Sequence, residues 1–304
     1  MIVVTGGFGF IGNELVRQLK KSRKEILILD NKNRVAPASD DLKDIAVAEL
    51  DLTDRIRVAD VVKEARPEVI FHMAAIHYIP ECNENPERTL RVNVEGTESI
   101  LRAAAGAGVG KVVFASSGAV YADSAEPLAE SAPIAPVDVY GWSKLFGEQL
   151  CQLNHSLYEM PIVVARLFNN YGPRETNPHI IPEIFQQMRV SDSLTLGNIS
   201  TIRDYIHTED CASALIRLAE KHKTGLETVN VANGKGYTVE QVIELIRKLT
   251  GRALPVTLAP ARLRKFDKQI QVANIERLKQ LTDWQPQKTV ELGMEELLRF
   301  ENLI

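Results

Sequence analysis

Tyr140-Gly-Trp-Ser-Lys144 places a phenol and an ammonium four residues apart. On a helix that is one turn along one face. A free tyrosine, with a pKa of about 10, is a poor base near neutral pH, and lowering it by about three units needs roughly 4 kcal/mol of preference for the phenolate. A cation about 4 Å away, at an effective dielectric of about 20, supplies an energy of that order. The pair can therefore serve as a base, although Tyr-x3-Lys also arises by chance on solvated helix faces. Upstream, Phe114-Ala115-Ser116-Ser117 ends a β-branched run. A hydroxyl there can bond a substrate oxygen beside Tyr140, or simply cap or turn the chain.

A second chemical feature opens the chain. Thr5-Gly6-Gly7-Phe8-Gly9-Phe10-Ile11-Gly12 follows a strand-like run and starts a helical one. Glycines there give a tight turn and close backbone approach to a pyrophosphate, and the helix N-terminus presents N–H groups to that anion. Asp30 lies eighteen residues past Gly12, with Asn31 beside it. A carboxylate at this place accepts hydrogen bonds from an adenosine ribose and repels a 2′-phosphate, which favours NAD over NADP. Lys32 and Arg34 are close by and can only soften that preference. Asp51 and Leu52 follow the third strand, where the acid can meet an adenine edge. Ala74 and Ala75 end the fourth, small enough for a dinucleotide to pass. Asn93 sits inside a helical pattern where asparagine is mildly unfavourable.

These residues need a frame. Strands are expected at Ile2–Thr5, Ile26–Leu29, Ala46–Leu50, Val69–His72, Lys111–Ala115 and Ile162–Arg166, with helices at Gly12–Lys20, Ile56–Glu64, Thr89–Ala104 and Val139–Tyr158. The alternation predicts an α/β fold, a doubly wound parallel sheet of Rossmann type with helices on both faces. Past residue 171 the alternation stops. Residues 1–171 are expected to bind the dinucleotide and residues 172–304 to form a smaller substrate-binding lobe, with a segment near 203–232 returning to the first sheet.

Composition narrows the class. The chain has 304 residues, 45% hydrophobic and 25% charged, with a net charge of −4. These are ordinary values for a soluble globular protein and point to no nucleic-acid or membrane partner. Cys82, Cys151 and Cys211 are odd in number and far apart, which fits a reducing cytoplasm. No signal peptide, membrane span or local metal motif is expected.

The ordered motifs together resemble the NAD-dependent nucleotide-sugar epimerase/dehydratase family of the extended short-chain dehydrogenase/reductases. The resemblance runs over essentially the whole chain. It covers Thr5-Gly6-x-x-Gly9-x-x-Gly12, Ser116-Ser117-x-x-Val120-Tyr121, Tyr140-x3-Lys144, Arg166-Leu-Phe-Asn169-x-Tyr171-Gly172-Pro173, Arg203-Asp204-Tyr205-Ile206-His207, Ala273-Asn274 and Trp284-Gln285-Pro286. It implies Tyr140 as base, Lys144 as the group that lowers its pKa and holds the nicotinamide ribose, and Ser117 on the reacting hydroxyl. It implies Asn169, Arg203 and Arg264 on the diphosphate of a nucleotide sugar. Arg262 is a rival for the last role, because Phe266-Asp267 stands where Gly-Asp is usual. It further implies a homodimer, through the two helices around Thr89–Ala104 and Val139–Tyr158.

Within that family, 4,6-dehydratases usually carry Asp-Glu directly after the Ser/Thr, and this chain has Gly118-Ala119. The decarboxylase Ser-Pro segment is also missing. A C4 epimerase through a transient 4-keto sugar is the expectation, with a dehydratase, a keto-sugar reductase or a non-catalytic NAD-binding protein as alternatives. The main departure from the family is Ile76-His77-Tyr78-Ile79-Pro80-Glu81-Cys82. His77, Glu81 and Cys82 either supply a second acid/base or position substrate and pack the loop.

Overall fold

The computed structural model describes residues 1–31, 42–175, 177–262 and 268–304. Six parallel strands, β1 (Ile2–Thr5), β2 (Ile26–Asp30), β3 (Ala46–Glu49), β4 (Val69–His72), β5 (Lys111–Ser117) and β6 (Ile162–Leu167), form a sheet with the later strand Leu226–Val231. From one edge the order is Leu226–Val231, β6, β5, β4, β1, β2, β3. The order reverses at β1, which pairs with β2 on one side and β4 on the other. Ligands of open α/β sheets bind in the crevice beyond the strand ends at such a reversal.

Strand alternation divides the core. Val4, Phe71, Val113 and Val163 face helices Phe10–Lys21 and Thr208–Lys221 through Leu15, Val16, Leu215 and Leu218. Val3, Ile70, Val112 and Ile162 face the other layer, through Val58, Val62, Ile100, Leu101 and Cys151. Near-continuous apolar strands follow from burial on both faces. The late strand joins through the register Leu226↔Ile162 to Val231↔Leu167. By contrast, Ile202–His207 pairs with Asn169–Tyr171, Gly236–Thr238 and Ile270–Gln271 in a second sheet. A separate core under it joins helices Ile180–Met188, Val239–Thr250 and Val290–Phe300 through Ile184, Ile243 and Leu298.

One expected helix differs. Thr89–Ala104 is interrupted: Pro86–Leu90 leads into a wide π turn at Arg91–Glu95, and Gly96–Ala107 continues. The extra residue in a π turn re-aims side chains and is common at functional sites. Here it turns the buried Asn93 away from a plain helix face toward the loop after β4.

Candidate active site

The ends of β1, β2, β4 and β5 and the second sheet enclose a cleft of about 840 Å³. It is lined by Gly6, Gly9, Phe10, Ile11, Gly12, Asp30, Asn31, Asp51, Leu52, Ala74, Ala75, His77, Ser117, Tyr140, Lys144, Asn169 and Arg203. Residues from widely separated parts of the chain thus converge on one cavity.

At the turn, Gly6 adopts φ +66°, and a Cβ there would lie 2.8 Å from the Ala74 Cα. A Cβ on Gly12 would stand 2.1 Å from the Gly6 carbonyl oxygen. Neither position accepts a side chain without moving backbone. The helix Phe10–Lys21 begins with no side-chain cap, so its first N–H groups are available to an anion. Asp30 is fixed by the Phe8 N–H, which donates to Oδ2 at 3.1 Å. Asp51 accepts from the Thr53 N–H at 2.9 Å. The glycine cradle, the uncapped helix end and the acid at the end of β2 together fit the pyrophosphate and ribose of a dinucleotide.

A buried relay sets the distance between turn and wall. The Ala74 N–H donates to Thr5 Oγ1 at 3.1 Å, and Thr5 bonds His72 Nδ1 at 2.8 Å. His72 Nε2 meets Thr97 Oγ1 at 2.9 Å, and Thr97 donates to the Asn93 carbonyl at 2.6 Å. Burial holds His72 neutral, with its pKa pushed down to about 3. Asn93 does not line the cleft. Its amide donates to the Ile76 carbonyl at 2.9 Å and to Ser143 Oγ at 2.9 Å, and its side-chain carbonyl accepts from the Ile76 N–H at 2.8 Å. It braces the wall from behind.

Helix Val139–Tyr158 starts at Asp138, whose carboxylate accepts from the Gly141 N–H at 2.7 Å. This places Tyr140 in the first turn and Lys144 one turn on. Lys144 Nζ donates to the Ala115 carbonyl at 2.7 Å and lies 5.8 Å from the Tyr140 ring centre. Ser117 accepts from the Ala119 N–H at 3.1 Å, capping a short turn, and also hydrogen-bonds the Tyr140 hydroxyl. It therefore acts as cap and faces the phenol at once. Ser116, pointing to the opposite face, bonds Glu148 at 2.5 Å, and Glu148 forms a bidentate pair with buried Arg166.

The electrostatics differ from the simple pair picture. Burial raises the Tyr140 phenol above its ordinary value, opposed by the Ser117 hydrogen bond. The same burial pushes Lys144 down to about 8. Desolvation is the largest cause of both shifts.

Asn169 and Arg203 sit on neighbouring strands of the second sheet, where Asn169 pairs with Tyr205. Arg262 also lines the cleft and pairs with Glu183 at 2.6 Å. Arg264 lies outside the described residues. Of the three ionisable candidates in the departing loop, His77 alone lines the cleft. Glu81 pairs with Arg88 at 3.2 Å, and Cys82 is buried with its thiol pushed up to about 11. Sequence reasoning missed Glu175, Asn177 and His179, which line the cleft beside His77. Their only trace was their place just past the Tyr171-Gly172-Pro173 motif.

Three comparisons bear on this arrangement. A family model described as the NAD dependent epimerase/dehydratase family matches residues 2–232. A UDP-glucose 4-epimerase of Halalkalibacterium halodurans is 30% identical, over 94% of this chain and 90% of that protein. A GDP-6-deoxy-D-mannose reductase of Pseudomonas aeruginosa is 29% identical over 98% and 95%. Among solved structures, the Thermus thermophilus UDP-glucose 4-epimerase in complex with NAD superposes with a TM-score of 0.90 at 27% identity, covering 99% of this chain and 98% of that one. The chain belongs to the NAD-dependent epimerase/dehydratase family.

Proposed function

We propose that this NAD-dependent enzyme is a nucleotide-sugar 4-epimerase, with a UDP-hexose as substrate. The observation that carries the reading is the convergence of Ser117, Tyr140 and Lys144 with the glycine turn on one cleft. The names of the relatives support the reaction and the nucleotide. Gly118 and Ala119, where elimination needs a carboxylate pair, favour epimerisation over dehydration.

Gly6, Gly9, Phe10, Ile11 and Gly12 would cradle the pyrophosphate of NAD, Asp30 and Asn31 the adenosine ribose, and Asp51 and Leu52 the adenine. Ala74 and Ala75 leave room for the dinucleotide, and Lys144 would hold the second ribose. When bound, NAD supplies the hydride acceptor and donor. Tyr140 takes the proton from the sugar C4 hydroxyl and returns it, so no net base is consumed. Ser117 holds that oxygen in line with the phenol. The Lys144 ammonium favours the phenolate, which a raised phenol pKa makes scarcer but more basic. His77, which lines the same cleft, would contact the sugar. Asn169, Arg203 and either Arg262 or Arg264 bind the diphosphate, for which the guanidinium fork is suited. Substrate then lies between residues 1–171 with the returning segment and the 172–304 lobe.

A homodimer in the cytoplasm completes the proposal. Trp142, Phe146, Leu153 and Leu157 are exposed along helix Val139–Tyr158 at helical spacing. An apolar stripe of this kind suits a partner helix. Among the described residues no helix is long and apolar enough to cross a membrane.

The test is conversion of UDP-glucose to UDP-galactose by purified protein with no added cofactor. Catalytic conversion with no change in reduced nicotinamide supports the proposal. Stoichiometric consumption of reduced nicotinamide would instead make the protein a keto-sugar reductase, and loss of water from the product a dehydratase.

A further inference from the structure

His77 and the segment around Glu175 and His179 meet on one wall of the cleft. One donor atom from each of the three side chains lies within 4.8 Å of the other two. No local spacing motif announces this cluster, because His77 follows β4 and its partners follow the strand Asn169–Tyr171.

Asn177 ties the cluster together. Its side chain lies 3.1 Å from His77 Nε2, and its backbone N–H donates to Glu175 Oε1 at 2.9 Å. Asn177 is buried. The His77 and His179 rings stack at 5.7 Å between centres, and Tyr78 meets His179 edge-on at 5.7 Å. The rings are thus held by packing on more than one side, with a buried amide setting the outer nitrogen of one of them.

We propose that His77, Glu175 and His179 form a binding site for a divalent transition-metal ion of the zinc class, within the same cleft as Tyr140. Two imidazoles and one carboxylate are the donor set such ions prefer, with positions left open toward the cleft. Ligand atoms in such a site stand about 2.0–2.2 Å from the ion, hence roughly 3–3.5 Å from one another. Binding an ion would therefore draw the three donor atoms together from their present spacing of up to 4.8 Å. Coordination through His77 Nδ1 requires the Asn177 amide turned so that its oxygen accepts from the His77 Nε2–H, the part an outer-shell partner plays. The ion's open positions would take an oxygen ligand, such as a hydroxyl of a bound sugar. This inference does not depend on the outcome of the epimerase assay.

The experiment uses the full chain with its cofactor, dialysed against chelator and titrated with Zn²⁺ by calorimetry, with metal content read by mass spectrometry. One saturable equivalent per chain is expected. H77Q and H179Q should each weaken it at least tenfold, and N177A about tenfold. H155Q, at a histidine that bonds the Met160 carbonyl away from the cluster, should leave it unchanged. Co²⁺ in place of Zn²⁺ should give a visible absorption band that the double variant H77Q/H179Q loses. Melting temperatures without metal show whether each variant is folded. Absence of a saturable equivalent in the wild-type chain, or undiminished binding in the folded double variant, overturns the proposal.

Discussion

The glycine turn and the His77 wall border the same cleft, yet they are built by different means. The turn is one contiguous stretch of backbone, in which two absent side chains permit the geometry. The wall is made of side chains 100 residues apart, joined by the Asn177–His77 contact. A contiguous backbone site leaves a motif in sequence. A side-chain site assembled across the fold leaves scattered residues whose meeting depends on the sheet order.

Several substitutions break or sharpen that contrast. Removing the proposed base should have the largest effect: Tyr140→Phe is expected to lower kcat by about 10²–10⁴-fold, with melting little changed. A loss under tenfold would take Tyr140 out of the chemistry. On the turn, Gly12→Ala should abolish cofactor retention on purification, because the added carbon collides with the Gly6 carbonyl. Normal cofactor content in that variant would mean the backbone cradle is not the pyrophosphate site.

Acidity tests the region between them. Lys144 is pushed down to about 8 by burial, so its ammonium is lost as pH rises through that value. Turnover should fall on the alkaline side with an apparent pKa near there, and a profile flat through that range would contradict the proposed role. The same depressed pKa means the unfolded chain binds a proton that the folded one has released. Lys144 alone therefore makes stability rise with pH between about 8 and its ordinary value of 10.5. His72 behaves likewise on the acid side. Its stabilising contribution is present above 6.5 and is lost as pH falls toward 3, and chemical denaturation at a series of pH values should show this.

Smaller effects are expected where a residue acts through others. Asp30→Ala should narrow the preference for NAD over NADP by about tenfold, roughly 1.4 kcal/mol, read as the ratio of dissociation constants. Asn93→Ala leaves the Ile76 N–H and carbonyl without their partner and should cost about 1–3 kcal/mol of stability. If Asn93→Ala weakens cofactor binding without lowering melting, its role is direct contact rather than bracing.

Much was legible in the residues alone. Apolar runs specify strands because burial on both sheet faces demands them, and the helix Val139–Tyr158 was readable to the residue. The turn, Asp30 and the Tyr140-x3-Lys144 pair were readable because each is local. The π turn at Arg91–Glu95 was not, because it comes with a tertiary contact between Asn93 and the Ile76 backbone that no local pattern announces. Cys82 could not be separated from His77 in the departing loop until burial sent one inward and the other to the cleft.

By itself, the sequence determined the parallel sheet and the glycine turn and named the side chains proposed to react, since these rest on periodicity and short spacing. Only the tertiary structure decided how deeply Tyr140 and Lys144 are desolvated, that Asn93 stands behind the wall, and that His77 meets Glu175 and His179. Each of those depends on which distant segments the strand order brings together, and dehydration is a property of the assembled site rather than of any segment.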